Sequence, residues 1–417
     1  MDCFLVNGPT RLEGSVEISG AKNAVLPLMA ASLLTGGCCT LENVPDLRDT
    51  RTMMKLLGML GVSASLQSGI LAIDASRISG FEAPYDLVRT MRASIYALGP
   101  LVARYGRARV SMPGGCAWGP RPVNLHLQGL AALGAKIKID HGYIDATAGK
   151  LKGAEIILSV PSVGATINIM MAAVLAQGTT VIENAAREPE VFELATVLKG
   201  AGARIDGEGT SRMTIRGVAE LSPFSRRVIP DRIETGTFAA AAVITGSQIA
   251  IHDCRPDHLK AVIDTLTRCG ASFEISDDRM IVRGPECIEP VDVETGFYPA
   301  FPTDMQAQVM AVLCKAKGSS TVREHVYPDR FTHVPELRRL GADIKLDGSV
   351  AVVSGAENLE SAPLMATDIR ASSALILAAM VAAGESKVLR IYHIDRGYEK
   401  IEKKFQALGA DIKRIED

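Results

Sequence analysis

The segment Pro113-Gly114-Gly115-Cys116-Ala117-Trp118-Gly119-Pro120-Arg121-Pro122 has the strongest chemical potential in this chain. Its glycines and prolines prohibit regular structure, so Cys116 is expected on a loop rather than in a core. Arg121, five residues on, can stabilise a thiolate or sit beside an anionic substrate. An idle loop thiol is the plain alternative. Trp118 is expected to pack the loop rather than react. A second set of residues recurs just ahead of Ala-rich apolar stretches: Lys22-Asn23, Met91-Arg92, Ser162-Val163-Gly164, Arg232-Ile233-Glu234, Thr303-Asp304 and Asp368-Ile369-Arg370. Free N–H groups and the helix dipole at such heads attract anions. Lys22, Arg92 and Arg370 would turn them into a phosphate or carboxylate pocket. Asp304 among these cations would be ionised and able to act as a base. Taken singly, each head residue is explained as simply by helix capping, and Asp231 and Glu234 by pairing with neighbouring arginines. Their recurrence at equivalent positions is what favours chemistry.

The rest of the composition narrows the class. The chain has 417 residues, 45 Lys+Arg against 47 Asp+Glu and 47% hydrophobic residues. That balance fits two or three globular domains and excludes disordered, collagen-like and disulfide-scaffold proteins. A net charge of −2 leaves no diffuse basic surface for nucleic acid or an anionic membrane. Residues 1–7 carry no basic and apolar leader pattern, and no apolar run reaches the length of a membrane span, so neither is expected. The eight cysteines form no CxxC pair, which points to reduced thiols in a cytoplasm. His252-Asp253-Cys254 with His258 lacks a convincing third ligand, and no metal or cofactor is expected.

These residues must be held by elements, and the elements repeat. A Leu-Gly-Ala-like tail occurs at Gly61, Gly134, Gly202, Gly270, Gly341 and Gly409, at intervals of 68 to 73 residues. Each unit opens with an Ala-rich stretch of helical length (24–34, 93–102, 167–176, 237–244, 305–313 and 372–382). A β-branched segment such as 179–182 or 320–322 follows, then a second, amphipathic helix capped by the tail glycine. Alternating strands such as 135–139 and 342–346 close the unit. The first helix is apolar on nearly every side and is expected to be buried. The period is too long for a solenoid. A compact α/β protein with two domains of three pseudosymmetric repeats fits better, divided near Lys22 and near Ile229-Pro230-Asp231, with residues 22–229 as one domain and 1–21 plus 230–417 as the other. The Pro-Phe-Ser-Arg-Arg run before Ile229 reads as a break in the apolar pattern.

Eight segments carry a family resemblance: residues 18–24, 90–94, 113–116, 162–166, 183–190, 230–237, 301–308 and 391–398. From first to last they resemble the UDP-N-acetylglucosamine 1-carboxyvinyltransferases of the enolpyruvyltransferase family. The resemblance implies two inside-out α/β barrel domains of three units each, with the active site in the cleft between them. It implies transfer of enolpyruvyl from phosphoenolpyruvate to the 3′-hydroxyl of UDP-N-acetylglucosamine with release of phosphate, the first committed step of peptidoglycan synthesis. By similarity Cys116 is the proton donor and forms an adduct with phosphoenolpyruvate, and Asp304 is the base. Lys22, Arg121 and Arg396 match phosphate-side cations, Arg330 and Arg370 carboxylate-side cations, and Asn23 a further phosphoenolpyruvate contact. Arg92, Arg121, Pro122, Val123, Asn124, Leu125, Ser162, Val163, Gly164, Asp304 and Val326 match the nucleotide-sugar site. The Cys116 loop would close as a lid. The implied partners are the two small-molecule substrates; a monomer is expected, in the cytoplasm to which the cysteines already point. Two departures stand out: Asn124 where Asp is common, and Val160 where some members carry lysine.

Overall fold

The computed structural model describes residues 2–112 and 123–416. The chain divides into two compact units, residues 20–229 and residues 1–19 with 230–417. Each unit holds three central helical stretches, and each of those leads into one four-stranded sheet or, in one case, a five-stranded one.

In the first unit the central helices are Lys22–Ala31, Leu98–Tyr105 (preceded by a 3-10 turn, Arg92–Ala97) and Val163–Ala173. In the second they are Arg232–Ile244, Gln306–Leu313 (after the turn Thr303–Met305) and Ile369–Ala379. These helices lack a polar stripe: every residue of Arg232–Ile244 is buried, as is every residue from Ala165 to Ala173. Alanine side chains let such helices approach closely, and enclosing them removes apolar surface from water on all sides. Each unit has its own contiguous apolar core around them.

The sheets share one pattern. In the five four-stranded sheets a strand after the central helix pairs antiparallel with the second strand of the following hairpin, and a short strand adds parallel on its other edge; in the five-stranded sheet the N-terminal strand Cys3–Gly8 takes that second place, between Ala382–Leu389 and Asp411–Ile415. Thr179–Glu183 thus pairs with Arg212–Arg216, which pairs with Arg204–Asp206, while Glu155–Ile157 lies parallel to the first. In the other unit Ser319–Arg323, Val350–Ser354, Asp343–Asp347 and Val293–Glu294 repeat the arrangement. Alternate strand residues face the helices and the intervening ones face water: Met213 and Ile215 are buried, Arg212 and Arg216 exposed. With helices inside and sheets outside, each unit has the inside-out α/β form that the repeat pattern and the resemblance imply.

All six tail glycines have positive φ, between 88° and 107°, at the ends of the outer helices or of their last turns. This is the left-handed cap that the repeated tail requires. A second glycine position was not evident from the sequence. At Gly217 and Gly355 a Cβ would fall 1.5 and 1.7 Å from the carbonyl oxygens of Ala176 and Ala316, so the hairpin can meet the end of the central helix only without a side chain.

One local expectation changes. The Ser225-Arg226-Arg227 segment is not a break in structure but the parallel edge strand beside Cys38–Glu42. Its charged residues survive there because edge strands tolerate and favour them. Cys269 and Cys314 are buried at the C-caps of the helices Lys260–Arg268 and Gln306–Leu313. No helix among the described residues is long and apolar enough to cross a membrane.

Candidate active site

The heads of the central helices carry the candidate residues, and in the unit made of 1–19 and 230–417 they form a charged cluster. Asp231 caps its helix by accepting from the N–H groups of Ile233 and Glu234 (2.8 and 3.1 Å), and Asp368 does the same for Arg370 and Ala371 (2.8 and 3.2 Å). Asp304 differs. It makes no cap; Arg330 Nη2 lies 2.7 Å from its Oδ1 and Arg370 Nη2 donates to its Oδ2 at 3.2 Å. Capping, the simpler account of Asp304 from sequence, is therefore replaced by a bridge between two buried guanidinium groups. Arg370 is 4% exposed. Burial opposes its charge, but Asp304 and then Tyr398 and Asp231 outweigh that penalty and push its pKa upward, so it stays a cation. Its guanidinium lies 5.5 Å from the centroid of the Tyr398 ring. The Tyr398 hydroxyl is 2.9 Å from Thr237 Oγ1 and donates to Ser373 Oγ at 3.2 Å, so the ring is anchored on two central helices. Arg396 ends the 3-10 turn Ile391–Arg396, two residues before Tyr398, and is partly buried. Val326 lies in the loop after strand Ser319–Arg323, its N–H donating to Glu324 Oε1 at 2.9 Å.

Glu234 is fully enclosed and pairs with Lys404 Nζ at 2.8 Å and with the Ser19 N–H at 2.8 Å. Its partner is a distant lysine, not a neighbouring arginine. Burial raises its pKa in spite of that lysine.

In the unit 20–229 the heads are held differently. Lys22 opens the first central helix, its Nζ 3.7 Å from Asp49 Oδ2, with Asn23 beside it. Arg92 begins the second head. Tyr96, one turn on, has its pKa pushed up to about 12 by burial; Arg92 opposes the shift and Glu190 and Glu188 add to it. Ser162 caps the third central helix, its Oγ accepting from the Ala165 N–H at 3.3 Å, with Val163 and Gly164 in the first turn. Val123 and Leu125 are buried and Asn124 is exposed at the start of helix Asn124–Ala132. Val160, where a lysine stands in some members, is 46% exposed.

Asn168 joins these heads. Its Oδ1 accepts from the Gly99 N–H at 2.7 Å and its Nδ2 donates to Ile95 O at 2.9 Å. The same Nδ2 lies 3.1 Å from His126 Nδ1. With Oδ1 occupied by a backbone donor, the amide must present N–H to the ring, so Nδ1 accepts and the imidazole proton sits on Nε2. Burial first, and the Arg92 charge second, push the His126 pKa down to about 3, so the ring is neutral. Nε2 faces Gly164, where an added Cβ would lie 3.0 Å away.

The structure thus gathers Asp304, Arg330 and Arg370 into direct contact, and sets Arg92 and Gly164 near His126, the ring that Asn168 holds. Cys116, Arg121 and Pro122 lie outside the described residues. Asp49, Asn168 and Glu324 escaped the sequence reading. Each is an ordinary polar residue in an amphipathic or turn context, and only its long-range partner reveals its role.

Comparison with known proteins gives the family. Residues 6–405 match the family model of EPSP synthase (3-phosphoshikimate 1-carboxyvinyltransferase). Proteins named UDP-N-acetylglucosamine 1-carboxyvinyltransferase from Desulfosudis oleivorans and Geobacter metallireducens are 53% and 51% identical to this chain, with 100% of each chain covered. Among solved structures, the enolpyruvyl transferase NikO from Streptomyces tendae is similar with a TM-score of 0.90 at 27% identity, over 99% of this chain and 98% of its own. EPSP synthase from Acinetobacter baumannii, at 16% identity and a TM-score of 0.77 over 100% of both chains, shares the fold. Identity of about half from end to end, on a scaffold of six repeats, means that the chain belongs to the UDP-N-acetylglucosamine 1-carboxyvinyltransferase family.

Proposed function

We propose that this protein transfers the enolpyruvyl group of phosphoenolpyruvate to the 3′-hydroxyl of UDP-N-acetylglucosamine and releases phosphate, the first committed step of peptidoglycan synthesis, and so serves cell-wall biogenesis, cell shape and division. The observation that carries this reading is end-to-end identity above 50% with relatives bearing that activity in their name. The Asp304 cluster supports it, because the reaction needs a base held among fixed cations.

In this reading the sugar hydroxyl adds to C2 of phosphoenolpyruvate while a proton reaches C3 from Cys116. The tetrahedral ketal then collapses: C3 returns a proton and phosphate leaves toward Lys22, Arg121 and Arg396. The carboxylate of phosphoenolpyruvate binds Arg330 and Arg370. Arg370 Nη1 is buried without a hydrogen-bond partner among the described residues, which suits an incoming anion. As that carboxylate competes for the two guanidinium groups, the Asp304 oxygens become available to accept the sugar proton. Asn23 contacts phosphoenolpyruvate; Arg92, Arg121 to Leu125, Ser162 to Gly164 and Val326 hold the nucleotide sugar. The protein works in the cytoplasm, a reading that its seven described cysteines, all free, accommodate.

The test is phosphate release from phosphoenolpyruvate with UDP-N-acetylglucosamine, shikimate 3-phosphate and UMP offered separately. Release with the nucleotide sugar alone is expected; release only with another acceptor sinks the assignment. Fosfomycin should alkylate Cys116, and Cys116→Asp should keep activity while escaping the drug. Continued inhibition of that variant would show that the reactive thiol lies elsewhere.

A further inference from the structure

Glu324 stands at the end of strand Ser319–Arg323 and is 1% exposed. Its carboxylate is saturated. Oε1 accepts from Thr295 Oγ1 at 2.7 Å, from the Val326 N–H at 2.9 Å and from the Tyr327 N–H at 2.8 Å. Oε2 accepts from Thr303 Oγ1 at 2.9 Å. The polarity of the chain beyond is fixed by chemistry. A guanidinium only donates, so Thr303 Oγ1 accepts from Arg330 Nη1 at 3.0 Å and its own proton is committed to Glu324. Arg330 then reaches Asp304 with its other nitrogen, at 2.7 Å. Thr295 is used the same way, accepting from the His325 N–H at 2.9 Å while donating to Glu324.

We propose that Glu324 is a positioning residue for both substrates: one oxygen shapes the Val326–Tyr327 backbone, and the other, through Thr303, aims Arg330. The inference rests on the function proposed above, which assigns Val326 to the nucleotide sugar and Arg330 to phosphoenolpyruvate. Only an acceptor at all four places satisfies the network. An amide in place of the carboxylate turns a donor toward either the two backbone N–H groups or the Thr303 hydroxyl, and in the second case Arg330 and the amide compete for one oxygen.

The experiment compares the native protein with Glu324→Gln and Thr303→Val. In Glu324→Gln the KM values for phosphoenolpyruvate and UDP-N-acetylglucosamine should both rise, by about tenfold, with a smaller change in kcat. Thr303→Val cuts only the Arg330 branch, so KM for phosphoenolpyruvate should rise alone. Amide hydrogen exchange reads the clamp without substrate: the Val326 and Tyr327 amides should be protected in the native protein and lose protection in Glu324→Gln but not in Thr303→Val. Unchanged KM values in folded Glu324→Gln, or unprotected Val326 and Tyr327 amides in the native protein, overturn the proposal. If Glu324→Gln does not fold, the Thr303→Val kinetics and the native exchange rates still decide it. Absence of native turnover would instead count against the assigned reaction, with the exchange data still judging the clamp.

Discussion

The two units repeat one backbone plan three times each, yet the heads around Asp304 and the heads around Asn168 are held by opposite means. The unit containing Asp304 uses ions: two buried arginines converge on one carboxylate. In the other unit the Lys22–Asp49 pair sits at the first head, but the second and third heads are joined by a neutral amide, Asn168, which ties Gly99, Ile95 and His126 together, with the ring uncharged. A buried ionic cluster is poorly matched to water but well matched to an incoming anion, because its charges are already desolvated and can change partners. A neutral network has no charge to trade. It keeps geometry constant while charged ligands come and go. The same scaffold thus supports a reactive head and a rigid one.

The comparison is broken most severely at its ionic side. Asp304→Asn keeps the shape and removes the proposed base, so phosphate release at saturating substrate should drop by about 10²- to 10⁴-fold. A loss of less than threefold would mean that another group accepts the proton. On the neutral side, Gly99→Ala would bring a Cβ to 2.4 Å from both the backbone oxygen and Oδ1 of Asn168, one of which is immovable. Overpacking of this kind should lower stability by about 2 kcal/mol, read as an earlier denaturant midpoint with an unchanged slope.

A smaller and graded effect comes from pH. Each unit contains one buried neutral histidine: His126, and His333, whose Nε2 lies 3.2 Å from Met310 Sδ and whose pKa burial likewise pushes down to about 3. Their ordinary value is 6.5. Between these pH values the unfolded chain takes up a proton that the native chain refuses. Stability is therefore complete above the ordinary value and erodes as pH falls toward 3, by roughly 1 kcal/mol per pH unit for each histidine. His126→Phe should remove one share of that slope and His333→Phe the other. An unaltered slope in either variant would mean that the ring already carries its proton when folded. The weakest effect belongs to the exterior. Arg51 and Asp46 are paired at 2.6 Å, but their side chains are 67% and 37% exposed, and Arg51→Ala should change stability by less than about 0.5 kcal/mol in urea titration.

Much of the fold was legible because it repeats. The tail glycines announce a left-handed cap six times, and helices apolar on all sides can only be interior. The head residues were legible as a group through their recurrence, though not in their separate roles. Asp304 resembles a helix cap in sequence and is none; Asp231 and Asp368 resemble it and are caps. The arginine-rich edge strand 225–227 reads as a break because its partner, Cys38–Glu42, lies far back in the chain. Glu324 and Asn168 carry no local signature, since their meaning lies in which distant donors and acceptors meet them.

The sequence by itself determined the class of the molecule: six related units, buried alanine-rich helices, charged residues gathered at helix heads, and a family resemblance running the length of the chain. Local rules suffice for these features, because periodicity, capping and glycine conformation are written in neighbouring residues. Only the tertiary structure decided that Asp304 bridges Arg330 and Arg370, that Asn168 sets the His126 tautomer, and that Glu324 gathers the hydroxyls of Thr295 and Thr303. Such contacts join residues from separate elements. Hydrogen-bond polarity and charge pairing are settled by distances and angles that no spacing along the chain encodes.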